Sequence, residues 1–243
     1  MVRFKKFRLL LLSFVYYALN PFNIAQAQEA HPVIVELYTS QSCSSCPPAD
    51  KIFGALTQNP NVIGVSCHVD YWNHLHWKDT LSLKACTDRQ RQRARYIEQG
   101  RTYTPNLVIN GRESMVGSKS AKIMSAINAS TAQNAFFKFP LTYNKESETL
   151  RIVYAEMQNS KRYSVTYFAI TDSYHQEIPS GENRGRSITY HNVARDVVVL
   201  PTWNGTAKTE STVRALPEGT DSLLLLANDV ETGAIAGYGY LRL

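Results

Sequence analysis

The sequence predicts an α/β domain carrying an inserted helical segment, followed by a mostly β, sandwich-like domain. Three observations lead to this reading. A β-branched run, Val33 to Tyr38, ends just before Cys43-Ser44-Ser45-Cys46, and a helical pattern follows. Near Thr131 the spacing of apolar residues changes from helical to alternating. No internal repeat, low-complexity tract or long linker separates the two halves, which points to close packing.

The N-terminus stands apart from this plan. Met1 to Arg8 holds Arg3, Lys5, Lys6 and Arg8 with no acid, and the apolar run Leu9 to Leu19 breaks at Asn20-Pro21. Ala25-Gln26-Ala27 supplies small residues for a signal peptidase. The run is short for a membrane span, so the expectation is a signal peptide over 1–27, cut before Gln28, with an uncleaved anchor as the alternative. The divisions expected are then 1–27, a domain over 28–131 and a β-rich domain over 132–243, in an exported, periplasmic or secreted chain without a stable membrane anchor.

Of 26 basic residues against 20 acidic ones, four cations belong to that leader. The mature chain is thus close to neutral, and the sustained basic patch that nucleic-acid binding needs is not implied.

The elements follow in order. Val33 to Tyr38 reads as a buried strand. Pro47 and Pro48 fit only a first helical turn, and Ala49, Ile52, Phe53 and Leu56 continue at helical spacing to Asn59-Pro60. Asn61 to Asp70 reads as a second strand, and Tyr71 to Lys84 as an aromatic and histidine-rich loop. Thr87 with Gln90 three residues on predicts a capping box for a helix that stops near Gly100. Thr104-Pro105 introduces a strand over Asn106 to Asn110, a turn at Asn110-Gly111, a short strand at Met115-Val116 and a helix from near Ser118. Beyond Thr131, alternating runs such as Leu150/Ile152/Tyr154, Tyr163/Val165/Tyr167 and Leu223/Leu225 predict the sandwich.

The chemistry lies in the cysteines. Placed in the first turn of a helix, Cys43 has its thiolate favoured by unpaired N–H groups and the helix dipole. Cys46, one turn on, is spaced to resolve a mixed disulfide on Cys43. A structural disulfide or half of a zinc site is the alternative for such a pair.

Val35-Glu36-Leu37-Tyr38, Cys43 to Pro47 and Tyr103-Thr104-Pro105 resemble the thioredoxin superfamily. A longer set, Thr39 to Asp50, His68 to Trp72, Trp77-Lys78-Asp79, Arg89-Gln90, Tyr103 to Pro105, Gly181-Glu182-Asn183 and Asn192 to Arg195, resembles a secreted family catalogued as domain of unknown function 1223. The resemblance implies a thioredoxin-like fold over the first domain. It also implies a cis bond at Pro105 facing the cysteine pair, with the Thr104 backbone holding an extended substrate. Glu36 resembles the buried acid of raised pKa that handles the proton of the second cysteine.

The function expected is thiol-disulfide exchange with protein or small-molecule thiols and disulfides as partners and no cofactor. Catalytic candidates are Cys43, Cys46, Thr104, Pro105 and Glu36. Copper or zinc binding through Cys43, Cys46 and His68 is one alternative, and a redox-inert interaction module is another. His68 and Asp70 are expected to tie the loop to the domain by hydrogen bonds. Cys67 and Cys86 read either as a structural disulfide or as two buried thiols. Arginines 89, 91, 93, 95 and 101 read as a solvated face.

Overall fold

The computed structural model describes residues 31–131, 136–157, 159 and 161–243, so the expected signal peptide lies outside the described residues. β1 (Val33–Thr39) is buried along its whole length. Its alternate side chains Val33, Val35 and Leu37 pack with Ala49, Phe53 and Leu56 of α1 (Pro47–Leu56) and with Ile123 and Ile127 of α3 (Ser120–Thr131). Ile34 and Tyr38 face the other way, toward Cys86 of α2 (Lys84–Ile97) and Phe168. The period-2 alternation of a strand therefore puts α1 and α3 on one face of the sheet and α2 on the other.

β2 (Val62–His68) runs parallel to β1, with Thr39 opposite His68 at the end that leads to the cysteines. On the other edge of β1 lies antiparallel β3 (Asn106–Ile109), then β4 (Glu113–Val116). Asn110 and Gly111 turn between them at φ of 51° and 66°, a region these two residue types enter at low cost.

The later strands are β5 (Phe137–Lys138), β6 (Leu141–Asn144), β7 (Thr149–Tyr154), β8 (Tyr163–Glu177), β9 (Ser187–Trp203), β10 (Lys208–Val213), β11 (Ser222–Asp229) and β12 (Ile235–Arg242). They do not close a sandwich of their own. β9 meets β2 in parallel at Ser66 and Val193, and one mixed sheet of nine strands runs β4-β3-β1-β2-β9-β8-β11-β12-β5. Alternation in β8 and β11 shows that both faces are used, and says nothing of which edge they seek. A buried strand such as β2 needs a partner on its open edge, and β9 provides it. The second sheet, β10-β7-β6, covers one face through Ile152, Tyr154, Tyr167, Trp203, Leu223 and Leu225.

α2 starts at Lys84, before Thr87, and its N-cap Leu83 makes no side-chain capping bond. Thr87 and Gln90 are engaged elsewhere. The Thr87 hydroxyl accepts from the Asp70 N–H at 3.0 Å and donates to the Asp70 carboxylate, while the Gln90 amide donates to the Tyr103 carbonyl at 2.7 Å. The capping-box pattern thus marks a tether between helix and loop. α1 approaches β9 closely: a Cβ on Gly54 would lie 2.5 Å from the His191 ring, so a larger residue there would have to displace that ring.

Candidate functional site

Cys43 and Cys46 form a disulfide beyond the C-terminal end of β1, and Cys67 and Cys86 form a second one joining β2 to α2. Contrary to the expectation from sequence, Cys43 is not in the first helical turn. The helix begins at Pro47, Cys46 occupies its N-cap position, and Cys43 lies in the preceding turn, where its carbonyl accepts from the Cys46 N–H at 3.1 Å. The two prolines have no N–H, and the amides of Ala49 and Asp50 both point at the Cys46 carbonyl. The helix terminus therefore offers few free donors to a thiolate on Cys43. A closer donor exists: the Ser45 hydroxyl lies 3.4 Å from the Cys43 sulfur.

Two segments enclose the motif. From the loop between β2 and α2, the Asp79 carboxylate accepts from the Gln41 N–H and the Leu81 N–H at 2.8 Å each and bonds His68 Nδ1 at 2.7 Å. Trp77 Nε1 donates to the Gln41 side chain, and the Ser42 hydroxyl donates to the Trp77 carbonyl. From the β8–β9 hairpin, Asn183 is wholly buried and donates to the carbonyls of Gln41 and Cys43 at 2.8 and 2.9 Å. Its neighbour Glu182 accepts from the Ser44 N–H at 3.2 Å. The result is a disulfide with Cys43 5% exposed and Cys46 fully buried, while Ser44 and Ser45 between them in the chain are exposed.

Thr104-Pro105 has a cis peptide bond. The Pro105 carbonyl accepts from the Gly117 N–H, and a Cβ on Gly117 would touch both Pro105 and Ala49. Gly117 thus lies between the Thr-Pro corner and the first turn of α1. Trp72 Nε1 donates to the Thr104 hydroxyl at 2.8 Å, fixing the loop to that corner.

Glu36 does not have the raised pKa expected of it. Burial favours the neutral acid, but the charges of Arg89 and Arg93, with hydrogen bonds from Arg89 and Tyr38, outweigh it and hold the carboxyl down at about 2. Arg93 grips one oxygen through Nε and Nη2 at 3.1 and 2.9 Å, and Arg89 and Tyr38 share the other. A carboxylate held this firmly ionised has no proton to give at neutral pH. The arginine face is likewise corrected: Arg89 and Arg93, one helical turn apart, are buried, and the Arg89 guanidinium lies 4.9 Å from the centre of the Phe168 ring.

A second buried acid is Asp50, in the first turn of α1 with its N–H on the Cys46 carbonyl. One oxygen accepts from Thr39 at 2.7 Å, and the other is buried with no hydrogen-bond partner among the described residues. Burial pushes this carboxyl up to about 7, against the pull of His68 and the Thr39 bond and with the Asp79 charge adding to the rise. His68 presents a matching atom. Its Nε2 is buried without a partner among the described residues, and its ring meets Tyr190 edge-on at 4.7 Å. Burial opposes charge on His68, yet the Asp79 charge and hydrogen bond and the Asp50 charge raise its pKa.

A pH signature follows. A carboxyl with its folded pKa raised from 3.8 to about 7 adds stability that is complete below 3.8 and is lost as pH rises to 7. At 1.36 kcal/mol per unit the loss is on the order of 2 to 4 kcal/mol. Asp50→Asn keeps the oxygen that Thr39 needs and is expected to remove this decline. Urea midpoints of the oxidised protein between pH 4 and 8 measure it, and an equal decline in both proteins would contradict the assignment.

Among the described residues, no group of three or more His, Cys, Asp or Glu side chains is arranged to hold a metal ion. His68, a ligand in the metal alternative, bonds Asp79 through Nδ1. Asp70 bonds Thr87, so both residues tie the loop to the domain, while His74 and His76 are exposed. Sequence reasoning missed Ser45, Asp50, Asp79, Glu182 and Asn183 as parts of the site. Only their place in the quoted family motifs signalled them.

Fold and site together define a mostly β protein on a mixed sheet, with two disulfide-bonded cysteine pairs, one of them a Cys-x-x-Cys pair enclosed by a loop and a distant hairpin. The chain belongs to the family described as protein of unknown function (DUF1223), whose profile matches residues 34–225. It is similar to the crystal structure of protein AGR_C_4864 from Agrobacterium tumefaciens, at 28% identity and a TM-score of 0.70, over 89% of this chain and 96% of that one. The structure of HBP35 of Porphyromonas gingivalis shares the fold at 13% identity and a TM-score of 0.61, over 88% of this chain and 76% of that one. No curated protein matches the chain.

Proposed function

We propose that the protein is an exported thiol-disulfide oxidoreductase in which residues 28–131 form a thioredoxin-like domain and 132–243 a β-rich domain. The observation that carries this reading is the Cys43–Cys46 disulfide at a strand-to-helix junction, with the cis Thr104-Pro105 corner across Gly117 from the same helical turn. In the reducing direction the Cys43 thiolate attacks a substrate disulfide. One substrate sulfur leaves as a thiolate and takes up a proton, and a mixed disulfide remains. The Cys46 thiol passes its proton to the Asp50 carboxylate and attacks Cys43, and the second substrate sulfur leaves as a thiolate that takes this proton. The substrate gains two electrons and two protons, and the Cys43–Cys46 bond forms. The reverse sequence oxidises a dithiol. Partners are protein or small-molecule thiols and disulfides.

Burial of both sulfurs under the hairpin favours a second reading, a redox-inert disulfide that holds an interaction module together. Trapping separates the two. Cys46→Ser incubated with a disulfide peptide is expected to accumulate a Cys43-linked mixed disulfide seen by mass spectrometry, and no adduct would favour the inert bond.

A further inference from the structure

Gly181-Glu182-Asn183 is a motif that the exchange reaction leaves without a role, although it lies 140 residues along the chain from Cys43 and bonds to it directly. We propose that Glu182 is a positioning residue that tunes the Cys43 thiolate through the negative charge it holds on the Ser44 N–H. This inference rests on the exchange reading and assigns the control of its nucleophile.

The amide of Ser44, the residue after Cys43, donates to Glu182 Oε2 at 3.2 Å. Several neighbouring amides are engaged or missing. Pro47 and Pro48 have no N–H, the Cys46 amide is on the Cys43 carbonyl, and the Ala49 and Asp50 amides are on the Cys46 carbonyl. A thiolate on Cys43 keeps the Ser45 hydroxyl but finds the Ser44 amide taken by a like charge. A negative charge beside the motif disfavours ionisation of its thiol.

The placement is built. Asn183 anchors the tip through two carbonyls, the Ser180 hydroxyl donates to the His76 carbonyl at 2.8 Å, and Gly181, at φ +78°, packs on Trp77. The other charged groups around the motif have separate duties. Asp79 is bonded to Gln41, Leu81 and His68, and Asp50 to Thr39, while Lys51 on α1 and Arg186 after the tip line a groove with Gly54 and His191.

The test uses full-length protein carrying Cys46→Ser, which leaves Cys43 as a single thiol and needs no reduction step. Glu182→Gln keeps an oxygen for the Ser44 N–H and removes only the charge. It is expected to lower the Cys43 pKa by about one unit, read by thiolate absorbance, and to speed iodoacetamide alkylation at pH 6 several-fold. Glu182→Asp, which keeps the charge on a shorter arm, is expected to fall between the two. With Cys46 restored, the tenfold change in thiolate stability makes the pair more oxidising by about 30 mV. Equal Cys43 pKa values in the parent and Glu182→Gln overturn the inference, whatever the turnover. Loss of the exchange reading shows itself differently, as absent turnover with the pKa shift still present.

Discussion

Replacing Glu36 with Gln is expected to destabilise the protein by about 3 to 5 kcal/mol, the cost of leaving a buried charge without its partner. Two guanidinium groups, Arg89 and Arg93, converge on this one carboxylate in a setting where all three side chains are at most 5% exposed. In a chain of this size the change corresponds to a fall in melting temperature on the order of 10 °C. Acid titration gives the sign. A carboxyl whose folded pKa is depressed from 4.5 to about 2 contributes stability above pH 4.5 that is lost as pH falls toward 2. The parent protein should lose stability through that window, and Glu36→Gln should lose much less. A variant within 1 kcal/mol of the parent at pH 7 would contradict the assignment of Glu36 as the charge that holds α2 to the sheet.

The second large effect concerns activity. Cys43→Ser is expected to reduce turnover in a thiol-exchange assay to background, because the proposed reaction gives Cys43 alone the attack on the substrate. Adding Cys46→Ser should lower it no further, since residues that act as a unit are not additive. Stability should respond in the opposite pattern. The Cys43–Cys46 bond closes a loop of three residues, and its loss relaxes the unfolded chain little. Cys67–Cys86 spans 19 residues and joins β2 to α2, so opening it should cost about 3 kcal/mol. Chemical denaturation of Cys43→Ser/Cys46→Ser and Cys67→Ala/Cys86→Ala checks the contrast.

The strand, the cysteine pair and the following helix were legible because each is coded locally. Val33 to Tyr38, the two prolines and the spacing of Ala49, Phe53 and Leu56 determine them within some 25 residues of chain. What was not legible depends on partners far apart in sequence. Glu36 pairs with arginines 53 and 57 residues away, and Asn183 reaches Cys43 across 140. The spacing of the arginines on α2 shows that 89 and 93 share a face, but not that the face meets a strand acid. An aspartate in a first helical turn reads as a solvated residue facing the dipole. Asp50 is buried because β1 ends beside it at Thr39, and its charge meets those of His68 and Asp79. The capping box failed for the same reason, as Asp70 and Tyr103 compete for Thr87 and Gln90.

The central claim is that Cys43–Cys46 cycles between disulfide and dithiol, and its reduction potential tests this most directly. Equilibration in thiol redox buffers, with alkylation and peptide mass spectrometry separating this pair from Cys67–Cys86, gives the value. The account predicts a potential within about −120 to −270 mV, the range of exchange proteins, reached while Cys67–Cys86 stays bonded. A value below about −300 mV, with no exchange on substrate disulfides, would contradict it and make the bond structural.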